Sequence, residues 1–97
     1  MSMLRKATFE RVLDKVHLEF GFDPLTPSKK RKYTDARALI YYVCRRKKRI
    51  RLDDLLLMLD EKGYKTSRAN VIRQVDKIHH LVREDLMMKN LINEIAE

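Results

Sequence analysis

"TSRANVIRQVDKIHHLV" (66–82) places Val71, Val75, Ile78 and Val82 three or four residues apart, the spacing of one face of an α-helix. Asn70, Arg73, Gln74 and Lys77 fall on the opposite face. Thr66 or Ser67 stands where a side-chain oxygen would cap the first free backbone N–H groups. The stretch therefore predicts a capped amphipathic helix running to about Arg83. No segment elsewhere alternates with period two for long, so the chain is predicted to be all-α, a small domain of about five helices.

Just before this helix, "DEKGYKT" (60–66) is a turn containing Gly63, and Leu52, Leu55, Leu56 and Leu59 form an inward stripe before the turn. Asp53 and Asp54 suit the positive N-terminus of a helix starting near Leu52. Residues 52–83 thus read as a helix-turn-helix. In such a pair the second helix enters the major groove of DNA with its N-terminal residues toward the base edges. Thr66, Ser67, Arg68, Asn70, Arg73 and Gln74 are then the candidate base-reading residues. Arg can give guanine two hydrogen bonds, and Asn or Gln can do so with adenine. The plainer reading is that these side chains form an ordinary solvated helix face.

Further toward the N-terminus lies "CRRKKRIRL" (44–52), six of whose nine residues are Lys or Arg. It follows the apolar run Ala38–Val43, and "KKRK" (29–32) precedes that run. A helix from about Tyr33 to Arg46, with Ala36, Leu39, Ile40 and Val43 as its core stripe and Cys44 beside them, would hold the two basic clusters roughly 20 Å apart. Residues 29–51 hold eleven basic residues and one acid, Asp35, whereas the whole chain has a net charge of +8. The cationic excess therefore lies in one segment. A surface of this kind releases counterions when it meets phosphates. Lys29, Lys30, Arg31, Lys32, Arg37, Arg45, Arg46, Lys47, Lys48, Arg49, Arg51, Lys65 and Lys77 are the candidate phosphate-binding residues. The competing reading is a solvated tag, since "KKRK" resembles a nuclear localisation pattern.

The remaining segments complete the domain. Phe9, Val12, Leu13, Val16 and Phe20 predict a first helix over roughly 6–20, stopped by Gly21. Phe22–Ser28 is a turn-rich linker with two prolines. Asp85 caps a last helix from Leu86 to about Ala96, with Leu86, Met87, Leu91, Ile92 and Ile95 on its apolar side. The 97 residues make a single domain, 1–97. The start Met1–Lys6 lacks the apolar stretch of a signal peptide, and no run reaches the ~18 apolar residues of a membrane span. Cys44 is the only cysteine, which fits a reducing cytoplasm. Its most economical role is as a small buried apolar residue.

His17, His79 and His80 lack metal-ligand spacing, so no metal is expected. Tyr33, Tyr41 and Tyr42 read as core or rim packing rather than base stacking. With only two glycines, Gly21 and Gly63, there is no Gly-rich phosphate loop. No acid/base pair stands out either. The chain is not expected to be an enzyme, and no cofactor is expected.

The order of these features resembles the C-terminal DNA-binding domain of the bacterial replication initiator DnaA. The resemblance is carried by "VLDKVHLEFGF" (12–22), "SKKRKYTDARALIYYVCR" (28–45) and "VIRQVDKIHHLVRED" (71–85), and it spans about residues 9–95. Ala36-Arg37 falls on the family's Ala-Arg pair, and Lys29, Lys30 and Arg31 fall on its basic loop. At the family's base-reading signature, Gly-Gly-Arg-Asp-His-Thr-Thr-Val, this chain has Tyr64-Lys65-Thr66-Ser67-Arg68-Ala69-Asn70-Val71 and retains only Val71. The resemblance implies a stand-alone DnaA-like domain without the family's ATPase, bound to double-stranded DNA in replication or transcription regulation. It also implies a target other than the family's own, in a bacterial cytosol or nucleoid or on phage DNA. Two alternatives are carried beside it: a protein-interaction module that meets an acidic partner or docks through the last helix, and an RNA-binding protein. No membrane partner is expected.

Overall fold

The computed structural model describes residues 3–97; Met1 and Ser2, part of the start read above for a leader, lie outside the described residues. Among the described residues the chain is all-helical. In order come α1 (Met3–Phe20), α2 (Arg31–Tyr42) with a π-helical turn over Val43–Lys47, α3 (Leu52–Glu61), α4 (Arg68–Glu84) and α5 (Leu86–Ala96). Among the described residues no helix is long and apolar enough to cross a membrane.

The helices end where local chemistry stops them. Gly21 sits at φ +78, past the end of α1, and donates to His17 O at 2.8 Å. Gly63, at φ +83, closes α3. Its N–H reaches Asp60 O and that of Tyr64 reaches Leu59 O, the paired bonds of a Schellman motif, which needs a left-handed residue where a side chain would be strained. Ser67 caps α4 by accepting from the Asn70 N–H at 3.1 Å. Asp85 caps α5, its carboxylate accepting from the N–H groups of Met87 and Met88.

The core gathers around α2. Every residue from Ala36 to Cys44 is buried, so the expected four-residue stripe is only part of a helix enclosed on all sides. Phe9, Val12, Leu13 and Val16 of α1 and Val71, Val75 and Ile78 of α4 pack into the same cluster. So do Leu52, Leu55, Met58 and Leu59 of α3 and Ile92 and Ile95 of α5. α4 packs chiefly against α2.

The structure departs from the sequence reading at three places. The second helix stops being α-helical at Tyr42. It widens into the π turn, where Lys48 N–H reaches back five residues to Val43 O at 2.9 Å. Arg49 then takes a left-handed conformation, φ 54, and Ile50, 1% exposed, plugs the turn into the core. On α3, Met58 rather than Leu56 completes the buried face. On α5, Leu86 and Met87 are exposed. The Asp85 cap starts the helix so that Met88, Leu91, Ile92 and Ile95 face inward, leaving the first two residues outside that stripe.

Candidate nucleic-acid interface

The basic strap Lys29–Lys32 enters α2 from a loop with a built shape. Asp23 accepts from the Leu25 N–H at 2.9 Å, and the Thr26 N–H reaches Asp23 O at 3.1 Å. Arg37 holds the rest. Its Nη1 donates to Pro24 O at 3.3 Å and to Thr26 O at 2.9 Å, and its Nη2 donates to Ser28 O at 2.7 Å. Arg37 is only 5% exposed. This corrects its assignment as a phosphate contact: the guanidinium is spent on three loop carbonyls. Lys29, Lys30, Arg31 and Lys32 themselves are exposed. The Lys32 ammonium lies 5.4 Å from the Phe22 ring centre and 5.1 Å from that of Tyr33, and those two rings meet edge-on.

This strap stands beside the polar face of α4. Lys29, Thr34, Arg37 and Tyr41 on one side, with Tyr64, Asn70, Arg73 and Gln74 on the other, line a cleft of about 390 Å³. Asp35 links the same two elements, lying 3.7 Å from Arg31 and 3.4 Å from Lys77. Gln74 Oε1 is buried without a hydrogen-bond partner among the described residues, and the buried Tyr41 hydroxyl has the Thr66 and Tyr64 hydroxyls beside it. Burial holds the Tyr41 phenol well above the usual tyrosine range; the nearby Tyr64 hydroxyl adds to this and Arg37 opposes it.

The start of α4 is preorganised by its own side chains. Thr66 Oγ1 accepts from Asn70 Nδ2 at 2.9 Å, and Asn70 Oδ1 accepts from Arg73 Nη2 at 2.7 Å. Arg68 forms an ion pair with Asp53 in the first turn of α3. Arg68, Arg73 and Lys77 are exposed, Thr66, Asn70 and Gln74 half-buried, and Lys65 is exposed in the connection. Ser67 spends its hydroxyl on the helix cap.

The second basic run is divided in its roles. Arg46, Lys47, Arg49 and Arg51 are exposed. Arg45 Nη1 instead donates to Ile50 O at 2.9 Å, stapling the π turn, and the Lys48 ammonium donates to Ala96 O at the end of α5. Arg45 and Lys48, both half-buried, each spend one donor on the fold and keep others that a phosphate could meet. Arg51 immediately precedes α3, whose Asp53 holds Arg68. That end of the run is thus tied to the start of α4, while Lys48 ties the middle to α5.

Sequence reasoning missed the counter-ions Asp35 and Asp53 and the wall residues Thr34 and Tyr64. A usable signal existed for Arg37 alone. It stands between Ala36 and Ala38 in a helix apolar all round, where a charge persists only if its donors are occupied. The chain matches no family model, no curated protein and no solved structure.

Proposed function

We propose that this chain is a non-enzymatic double-stranded DNA-binding protein acting in replication or transcription control. The α3–α4 pair serves as its helix-turn-helix, with the start of α4 in the major groove. The observation that carries this reading is the shared cleft: Lys29 of the strap faces Asn70, Arg73 and Gln74 of α4. A helix seated in a groove ~12 Å wide has phosphates on both flanks. The strap would meet one flank, and Arg46, Lys47, Arg49 and Arg51 would supply further backbone contacts. The order of elements and the resemblance to the DnaA C-terminal domain support the same reading.

Repulsion among the clustered cations is then offset when phosphates arrive. The π turn, anchored by buried Val43 and Cys44, and the Arg37-held loop keep both clusters from behaving as floppy tags. Single-strand RNA recognition draws on exposed aromatic platforms, and Tyr41 and Tyr42 are buried, which favours duplex DNA over RNA. Exposed Leu86 and Met87 favour a second reading in which the start of α5 docks a protein.

The test is fluorescence anisotropy with labelled duplex DNA, single-stranded DNA and single-stranded RNA across a salt series. Duplex binding is expected with a log–log salt slope of roughly −4 to −7, from about five to eight neutralised phosphates. A slope near zero, or preference for single strands, rejects the proposal.

A further inference from the structure

The side chains at the start of α4 do not offer themselves equally to a DNA groove. Arg73 has only donors, so the oxygen it meets on Asn70 must be the amide carbonyl. The Asn70 amide nitrogen is thereby turned toward Thr66, whose hydroxyl accepts from it. Each end of the Asn70 amide holds one partner within the protein and keeps one hydrogen or one lone pair. A two-bond contact with adenine would have to use that remaining hydrogen and lone pair beside the relay.

Arg73 keeps more free donors. One hydrogen of its Nη2 is held by Asn70. Whichever of the two Nη2 hydrogens that is, one two-donor edge of the planar fork remains open: Nη1 with Nη2, or Nε with Nη2. The side chain is exposed, and Lys29 lines the same cleft, so Arg73 sits where a base edge and a neighbouring phosphate can be met together. Arg68, the other arginine of this face, is paired with Asp53.

We infer that Arg73 reads a guanine through its free two-donor edge, and that Thr66 and Asn70 are positioning residues that hold its guanidinium. The inference rests on the proposed DNA-binding function and deepens it by naming the base and the side chain that recognises it. Holding the fork before binding reduces the side-chain freedom lost on contact. It also makes the preference depend on a hydroxyl, that of Thr66, which need not touch DNA.

The experiment selects duplexes from a random pool with the full chain. It then measures affinity for the selected site and for its single-base variants. Wild type is expected to prefer guanine at one position by about 5- to 100-fold. Arg73→Lys keeps the charge but not the fork, so it should lose that preference while the salt slope is unchanged. Asn70→Ala leaves the Ser67 cap on the residue-70 N–H intact and suits a helix. It should flatten the same position without lowering the melting temperature. Thr66→Val should weaken the preference and Thr66→Ser should restore it.

A selected site with no such guanine overturns the inference. So does an Asn70→Ala variant that loses an adenine while keeping the guanine, or an Arg73→Lys variant that keeps full discrimination. Failure of wild type to retain any duplex overturns the DNA-binding reading itself, and the inference with it.

Discussion

The guanidinium of Arg37 lies 4.9 Å from the centre of the Tyr64 ring. One face of this buried cation therefore covers Tyr64, the residue after the Gly63 that closes α3, while its N–H groups hold the loop that carries Lys29–Lys32. A single side chain thus joins the basic strap to the connection preceding α4, on which the spacing of the two halves of the candidate interface depends. Charge-assisted hydrogen bonds contribute about 1.5–3 kcal/mol each, and orphaned carbonyls cost more than absent ones. Arg37→Ala is expected to lower unfolding free energy by about 2–4 kcal/mol in urea titration and to weaken duplex binding as a consequence. An Arg37→Ala chain with unchanged urea midpoint but lost binding would return Arg37 to the DNA-facing set.

Lys48 and its neighbours should separate in the same way. Lys48→Ala removes a contact to Ala96 O and is expected to cost about 0.5–1.5 kcal/mol of stability with duplex affinity nearly intact. Arg46→Ala and Lys47→Ala, at exposed positions, should leave stability alone. Each should weaken binding to all sequences alike, shortening the salt slope by about one. Comparing thermal melts with anisotropy titrations for the three variants decides the assignment.

Asp53 opposes binding if Arg68 faces DNA. The Asp53–Arg68 pair joins two side chains that are 67% and 61% exposed, and such pairs contribute about 0–1 kcal/mol. Asp53→Asn should therefore leave stability within about 1 kcal/mol of wild type and tighten duplex binding several-fold at low salt, because a carboxylate is removed and Arg68 released. Unchanged affinity at low salt would place Arg68 away from the bound duplex.

Stability should fall at alkaline pH through two buried groups. Desolvation pushes the Cys44 thiol up from 9.0 to about 12, with Lys48 pulling slightly the other way, and burial likewise raises Tyr41 above its ordinary 10.0. Both folded-state values lie above those of the unfolded chain, so the unfolded state releases its protons first as pH rises. The stabilisation is complete below pH 9. Above it, stability is lost at about 1.4 kcal/mol per pH unit per group, with Cys44 first and Tyr41 joining above pH 10. Urea midpoints at pH 8, 9.5 and 10.5 should decline, and Cys44→Ala should remove the decline between pH 9 and 10. An identical decline in the variant would assign the effect elsewhere.

The helical periodicity of Val71, Val75 and Ile78, the Ser67 and Asp85 caps, and the two glycine stops were legible before any coordinates, and the helices fall where those signals put them. These are local properties. A side chain three or four residues along lies on the same face whatever the helix packs against, and a cap needs only its own first turn. The candidate interface was legible only as a set of charges. Arg37, Arg45 and Lys48 look like any other cations in the chain, and the bonds that tie them to the fold reach carbonyls 5 to 48 residues away.

By itself, then, the amino-acid order determined an all-helical chain with its cationic excess between residues 29 and 51, because periodicity, capping and charge count are all properties of neighbours. Only the tertiary structure decided that α2 is enclosed from Ala36 onward, that the strap and α4 share one cleft, and which cations stay in solvent. A buried helix, a cleft and an ion pair are each made by groups far apart along the chain, and their free energy exists only once packing has brought those groups within a few ångströms.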